Sequence, residues 1–140
     1  MNKAGRIMVM ALTVFFFTTL VSCSKNELDG NWEPMKWEAG YPGNPKSIVV
    51  PSEGGTYSLT CSNYHGPWLT QVTVDGSTIV ISNEAGSFLH HVEHHWMIVD
   101  LTGNKLTIVV KPNNTGKDRK LRIGVSAGDV FDHIEVTQAK

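Results

Sequence analysis

A strict two-residue alternation of side chains near the C-terminus limits the fold more than any other feature of this chain. Leu121, Ile123 and Val125 are separated by single polar or small residues. Successive side chains of a β-strand point to opposite faces, so this spacing predicts a strand with one buried and one solvated face. A chain built from such strands must pack their apolar faces against one another.

Similar segments recur along most of the chain. The predicted strands are 47–50, 56–62, 69–74, 78–82, 96–101, 105–110, 119–126 and 130–137. Asp75-Gly76 joins two of them and is a strong signal for a two-residue hairpin. Seven to eight short strands without a long amphipathic helix predict an all-β fold, an Ig-like antiparallel β-sandwich over residues 47–140.

The N-terminus has the layout of a secretory signal peptide. Lys3 and Arg6 precede an apolar run at residues 7–21, which is shorter than the ~20 residues of a typical membrane-spanning helix. The run ends in Leu-Val-Ser-Cys at Cys23, which resembles the lipobox of bacterial lipoproteins. The resemblance implies transfer of a diacylglyceryl group to the Cys23 thiol, removal of residues 1–22 and a further acyl chain on the new amine. These fatty acids, such as palmitate, would form a lipid anchor in a membrane. An ordinary signal peptide followed by a chance cysteine is the alternative.

Residues 23–46 are rich in glycine and proline, which predicts a lipidated N-terminus followed by a tether. Trp32, Trp37 and Tyr41 are unusual in a spacer. We expect them to fold back onto the domain, with an exposed contact patch as the alternative.

Charge and cysteine content exclude two classes of protein. Removal of Lys3 and Arg6 with the leader changes the formal net charge from −1 to −3. The sequence also has no basic block with interleaved aromatic residues, so we do not expect nucleic acid as a partner. Acylation of Cys23 leaves Cys61 without a disulfide partner. Cys61 alternates with Tyr57 and Leu59, so we expect a small buried hydrophobic residue.

A histidine-rich segment interrupts the strand pattern. It comprises His90, His91, Val92, Glu93, His94 and His95. Residues 83–95 are long for a hairpin loop, and a short helix and an irregular loop both remain open. On a helix His90 and His94 share a face, whereas on a strand His91, Glu93 and His95 do. Either arrangement suits Zn²⁺ or Cu²⁺, with a solvated polar loop as the alternative.

The sequence does not contain a convincing set of catalytic residues. The segment from His90 to His94 matches a zinc-protease pattern, but that chemistry needs a helix and a distant third ligand. The acidic residues are scattered, with no pair that would flank a sugar bond, and no glycine-rich phosphate loop precedes a helix. We therefore expect a non-catalytic protein without a required cofactor.

Glycan binding would use exposed aromatic rings beside polar groups. The candidate ligand-binding residues are Tyr64, His65 and Trp68. A β-sandwich usually buries at least one tryptophan. We expect that residue to be Trp96, and we expect Tyr64 and His65 to be exposed on the loop at residues 63–67.

The chain also resembles the BACON (Bacteroidetes-associated carbohydrate-binding often N-terminal) domain over residues 47–138. The resemblance is carried by Gly54-Gly55, Asn63, an inner tryptophan, residues 106–113, Arg119 and residues 134–138. Residues 68–96 depart from it, because a histidine-rich insertion follows the hairpin. We expect the shared positions to define the fold. The glycine pair gives backbone freedom, and Asn113 and Asn114 suit a turn, because asparagine tolerates left-handed geometry. Arg119 and Gln138 bind loop carbonyls or pack on the sheet edge.

The BACON resemblance implies an Ig-like fold in secreted and surface proteins of Bacteroidota, often beside glycoside hydrolases. It implies carbohydrate or mucin-glycan binding, with a structural spacer or an accessory lipoprotein that contacts another protein as the alternative. Residues 24–29 are similar to short acidic signals that send lipoproteins to the outer surface. This implies exposure at the cell outer membrane, with the periplasmic face as the alternative.

Overall fold

The alternating segments form ten β-strands in the computed structural model, which describes residues 32–81 and 88–140. The strands are β1 (Trp37–Ala39), β2 (Ser47–Val50), β3 (Gly55–Cys61), β4 (Trp68–Val74), β5 (Ser77–Ile81), β6 (His91–His94), β7 (Met97–Thr102), β8 (Lys105–Val110), β9 (Arg119–Ala127) and β10 (Val130–Gln138). The predicted leader, Cys23, residues 24–31 and residues 82–87 lie outside the described residues. In the ranges that are described, no helix is long and apolar enough to cross a membrane.

The strands form two five-stranded sheets that pack face to face. The first sheet has the order β1-β3-β8-β7-β6 and the second the order β2-β10-β9-β4-β5. The inward residues Leu121, Ile123 and Val125 of β9 are at most 2% exposed, as the alternation predicts. The prediction of an Ig-like β-sandwich is confirmed, with ten strands instead of seven to eight, because β1 and β6 were not predicted.

The sandwich begins before the predicted boundary at residue 47. Trp37 of β1 pairs with Cys61 of β3, and Met35 and Trp37 are only 5% and 8% exposed. Tyr41 meets Tyr57 edge to face at 5.7 Å between ring centroids. Residues 32–46 are therefore part of the fold and not of a tether, because a three-residue strand completes the sheet edge despite the surrounding glycines and prolines. Trp37 and Tyr41 fold back as expected, whereas Trp32 is exposed.

Buried amides tie the loops to the second sheet. Gln138 is fully buried, and its Nε2 donates to the Lys111 carbonyl at 2.8 Å and to the Pro51 and Ser52 carbonyls at 3.3 Å. This confirms that Gln138 binds loop carbonyls. Asn113 is also buried, with its Nδ2 donating to the Lys117 carbonyl at 2.7 Å. Asn113 Oδ1 accepts from the Thr115 N–H at 3.1 Å, the local contact of a turn, as expected. Neither Asn113 nor Asn114 uses left-handed geometry, since Asp75 is the only non-glycine residue with positive φ in the described ranges.

The turn chemistry agrees with the sequence at the predicted hairpin. Asp75 and Gly76 have φ values of 48° and 83° between β4 and β5, the geometry of a two-residue turn with both central residues left-handed. Cys61 is buried and carries a free thiol, also as expected.

Candidate functional site

The outer face of the second sheet carries ordered rows of side chains across its strands. Phe131 of β10 and Trp68 of β4 both pair with Ser126 of β9. Directly paired residues of antiparallel strands point to the same face. Trp68, Ser126 and Phe131 therefore lie in one row, and Trp68 and Phe131 are about 10 Å apart because two inter-strand spacings separate them.

A second row follows along the strands. Gln71 of β4 and His133 of β10 both pair with Gly124 of β9. Gly124 has no side chain, so the middle of this row is a depression between the flanking strands. A Cβ atom at residue 124 would lie 2.7 Å from Oγ1 of Thr70, which occupies an irregularity in the pairing of β4. The absence of a side chain at Gly124 is thus required by the packing of Thr70.

The depression opens into a cavity of about 540 Å³, which we call the outer groove. Its lining includes Gln71, Thr73, Arg122, Gly124, Phe131 and His133. A volume of this size lies within the range of small-molecule sites, roughly 300–1,000 Å³. The outer groove is therefore large enough to hold an organic ligand.

Phe131 stands at the rim of the outer groove with 73% of its surface exposed. Its neighbours on the inner side of β10, Val130 and Ile134, are buried. An aromatic ring that projects into solvent next to a cavity offers a flat apolar surface, because its inward neighbours already supply the core.

The opposite side of the outer groove carries an interlinked polar cluster. Nε2 of Gln71 donates to Oγ1 of Thr73 at 3.2 Å and to Oγ1 of Thr78 at 3.1 Å. The two threonine oxygens are 3.3 Å apart. These contacts hold an amide and two hydroxyl groups in fixed positions on an exposed surface, where they can exchange hydrogen bonds with a ligand.

Charged groups beside the outer groove are paired with opposite charges. Nη1 of Arg122 lies 3.6 Å from Oε1 of Glu135 on the next strand, and Nε2 of His133 lies 3.7 Å from the same atom. Asp132 accepts from Nζ of Lys46 at 3.0 Å and from Nε1 of Trp37 at 3.1 Å. The outer groove is therefore polar, but its positive and negative side chains balance one another.

The structure divides the predicted ligand-binding set of Tyr64, His65 and Trp68. Trp68 lies on the outer face and contacts Phe88 at 4.7 Å between ring centroids. Tyr64 is half-buried, and its hydroxyl donates to the Glu33 carbonyl. The expectation that Tyr64 is exposed is wrong, because it packs against the N-terminal segment. His65 is exposed, and Trp96 is buried, as expected.

The histidine-rich segment is a strand and not a helix or an irregular loop. His91 and Glu93 of β6 are exposed and alternate with buried Val92, so they share one face, whereas His94 belongs to the other. His95 lies in the turn before β7, with its ring 4.6 Å from that of His94. Among the described residues, no three His, Cys, Asp or Glu side chains converge on a point that could hold a metal ion. His90, which precedes β6, is exposed as well.

His91 is engaged by the neighbouring strand instead. Its Nδ1 shares a hydrogen bond with Oδ1 of Asp100, the residue it pairs with on β7. This hydrogen bond raises the pKa of His91 above its ordinary value, burial opposes the rise, and the charges of Asp100 and Glu93 add to it. Protonated His91 is a poorer metal ligand, because an imidazole must be neutral to coordinate.

Residues 124–128 spell G-V-S-A-G, the pattern of a nucleophile elbow, which sequence reasoning missed. In enzymes that pattern forms a sharp turn from strand to helix and exposes the serine. Here Ser126 lies within β9, is 1% exposed and donates to the Gly128 carbonyl at 2.9 Å. The local structure does not have the geometry of that motif.

Phe131 is the other residue that sequence reasoning missed. It occupies an outward position of β10, where the pattern otherwise places polar residues such as His133 and Glu135. The signal in the sequence is a large apolar side chain at a position of the alternating strand that should face solvent.

Comparison with known proteins supports the fold. No family model matches the chain, and no curated protein matches it. The solved structures include a protein from Bacteroides thetaiotaomicron determined by NMR, which is 27% identical and has a TM-score of 0.66. That similarity covers 83% of this chain and 95% of the other. The M1 domain of titin is 10% identical with a TM-score of 0.48, and the match covers 76% of this chain and 94% of that domain.

Proposed function

We propose that this protein is a non-catalytic, lipid-anchored module that binds carbohydrate in the outer groove. The observation that carries the proposal is Phe131, a 73% exposed aromatic ring at the rim of a polar cavity of about 540 Å³. A sugar ring has an apolar C–H face and a periphery of hydroxyl groups. The electron-rich face of an aromatic ring attracts the first, and fixed amide and hydroxyl groups bind the second.

The arrangement of the strands supports this assignment. Phe131 lies on β10, whereas Gln71, Thr73 and Thr78 lie on β4 and β5 across the depression at Gly124. A ligand in the outer groove therefore meets an apolar surface on one side and hydrogen-bonding groups on the other. The resemblance to BACON domains implies the same class of ligand.

The anchor is proposed from the N-terminal sequence alone. The lipobox-like residues that end at Cys23 support acylation and attachment to the outer membrane, with the sandwich facing the outside. The similarity to a protein from Bacteroides thetaiotaomicron fits a bacterial source, in which such lipid anchors occur. We expect a palmitate analogue fed to the expressing cells to label the full chain and not its Cys23→Ser variant. Equal labelling of both would contradict the anchor.

A glycan array probed with the purified full chain, followed by calorimetry on each hit, tests carbohydrate binding. We expect Phe131→Ala to weaken the affinity for a hit about tenfold or more, the effect of an anchor residue at the centre of an interface. Val49→Ala is the matched control, because Val49 is 77% exposed on the same sheet and does not line the outer groove. We expect that control to bind like the unmodified protein.

Two results would contradict the proposal in different ways. Silence across the array would remove carbohydrate as the ligand and favour the accessory protein-interaction or spacer role. Binding that is lost in His65→Ala and retained in Phe131→Ala would move the site to the loop at residues 63–67.

A further inference from the structure

Resting on the proposed function, we infer that the ligand is a neutral glycan chain that lies across the strands and occupies the outer groove over several sugar units. Two separate observations support the two properties of this ligand. The balance of charges in the groove indicates that the ligand is neutral. The distance between the apolar and the polar end of the groove indicates that it is a chain of several sugars.

The charge balance argues against an acidic glycan. Arg122 is paired with Glu135, and Asp132 is paired with Lys46. An added carboxylate or sulfate would have to compete with Glu135 for Arg122. A neutral polyol displaces no ion pair and needs only dipoles and hydroxyl groups, which the groove supplies.

The geometry of the sheet argues for a chain and not a single sugar. Phe131 is on β10 in the row of Ser126, whereas Thr78 is on β5 and pairs with Thr73, two rows further on. Three inter-strand spacings and four residues along a strand place these positions about 20 Å apart. That distance exceeds the length of one sugar ring several times. A ligand that uses both ends must be an oligosaccharide.

The floor of the groove suits a chain that passes over it. Gly124 has no side chain at the centre of the path, between Gln71 and His133. Oγ1 of Thr70 lies where it would clash with a Cβ atom at residue 124, so only glycine fits at this point of the floor. A continuous ligand that crosses the sheet there meets the side chain of Thr70, whose hydroxyl is one more hydrogen-bonding group along the path.

Calorimetry of the full chain with neutral and acidic oligosaccharides tests this inference. The probes are length series of neutral xylan, mannan, β-glucan and desialylated mucin O-glycan fragments, with polygalacturonate and hyaluronate fragments as acidic counterparts. We expect affinity for at least one neutral series to rise about tenfold or more from the disaccharide to the hexasaccharide. We also expect that affinity to stay within about twofold between 50 mM and 500 mM salt, because no ion pair with the ligand is screened.

Variants at the two ends separate the anchor from the extension. Phe131→Ala should weaken both short and long ligands. Thr78→Ala should weaken the hexasaccharide by about threefold or more and leave the disaccharide unchanged, since only the long ligand reaches β5. Thr56→Ala is the control, because Thr56 is an exposed threonine on the other sheet.

Each remaining outcome has a distinct meaning. Binding of acidic fragments alone, weakened by salt, would overturn the inference and leave the proposed carbohydrate binding intact. Equal affinity for disaccharide and hexasaccharide would overturn the extended site in the same way. Failure of every series and of the whole glycan array would overturn the proposed function itself.

Discussion

Gly54 shows how one residue without a side chain sets the path of the backbone. It has a φ of 83°, and a Cβ there would lie 2.2 Å from the Val110 carbonyl oxygen. The left-handed conformation and the close approach to β8 both exclude other residues. The tight approach belongs to the turn before β3, which must bring the chain from the second sheet to the first.

Replacement of Gly54 by alanine should therefore destabilise the folded protein. We expect Gly54→Ala to lower the free energy of unfolding by at least about 2 kcal/mol, because backbone strain is joined by a clash with a carbonyl group. Gly103→Ala is the matched control, since Gly103 has a φ of 60° and open space around its Cβ position. There we expect about 1 kcal/mol, from left-handed strain alone. Urea denaturation measures both, and equal losses would refute the role of the close approach.

At the scale of single elements, β6 and β7 are joined by a pair that depends on pH. The hydrogen bond to Asp100 raises the pKa of His91 above its ordinary value of 6.5. A raised folded-state pKa means that the contribution of the pair is complete below the ordinary value and is lost as the pH rises through the folded value. Both side chains are exposed, so the contribution is small and screened by salt.

NMR titration of the imidazole resonances measures this pair directly. We expect Asp100→Asn to lower the pKa of His91 towards the ordinary value, because the acceptor and the charge are both weakened. Glu93→Gln should lower it less, because Glu93 contributes only through its charge. An unchanged His91 pKa in Asp100→Asn would show that the hydrogen bond is not formed in solution.

The elements differ in how far the sequence could reveal them. Where one face is buried and the turn is short, as in β9 and the Asp75-Gly76 hairpin, alternation and turn chemistry were sufficient. β6 was ambiguous, because its single buried residue, Val92, fits a strand and a helix equally well. β1 was hidden among glycines and prolines, since its pairing with β3 is a contact between residues distant in sequence.

The sequence predicts the fold better than it predicts the candidate site. Trp68 was identified as a ligand-binding candidate, but the groove is assembled from four strands whose register brings Phe131, Gly124 and Gln71 together. No local pattern encodes which outward residues become neighbours across a sheet. That information lies in the strand order, which only the folded chain displays.

The extent of the folded unit can be tested on two tryptophans of the N-terminal segment. Trp37 is 8% exposed and Trp32 is 61% exposed. We expect Trp37→Ala to lower the free energy of unfolding by about 3–5 kcal/mol, because it leaves a cavity and removes the indole hydrogen bond to Asp132. Trp32→Ala should change it by less than about 0.5 kcal/mol. Thermal and urea unfolding measure both, and a neutral Trp37→Ala would return residues 32–46 to the role of a tether.

Strand direction at the edge of the second sheet has a mechanical consequence. β2 and β10 run parallel, with Ser47 opposite Glu135 and Val50 opposite Gln138. If the chain is pulled backwards from the start of β2 and forwards from the end of β10, the two strands must slide past each other. Their hydrogen bonds are then loaded together in shear instead of opening one at a time. A force applied between Ser47 and Gln138 would therefore be carried by this strand pair.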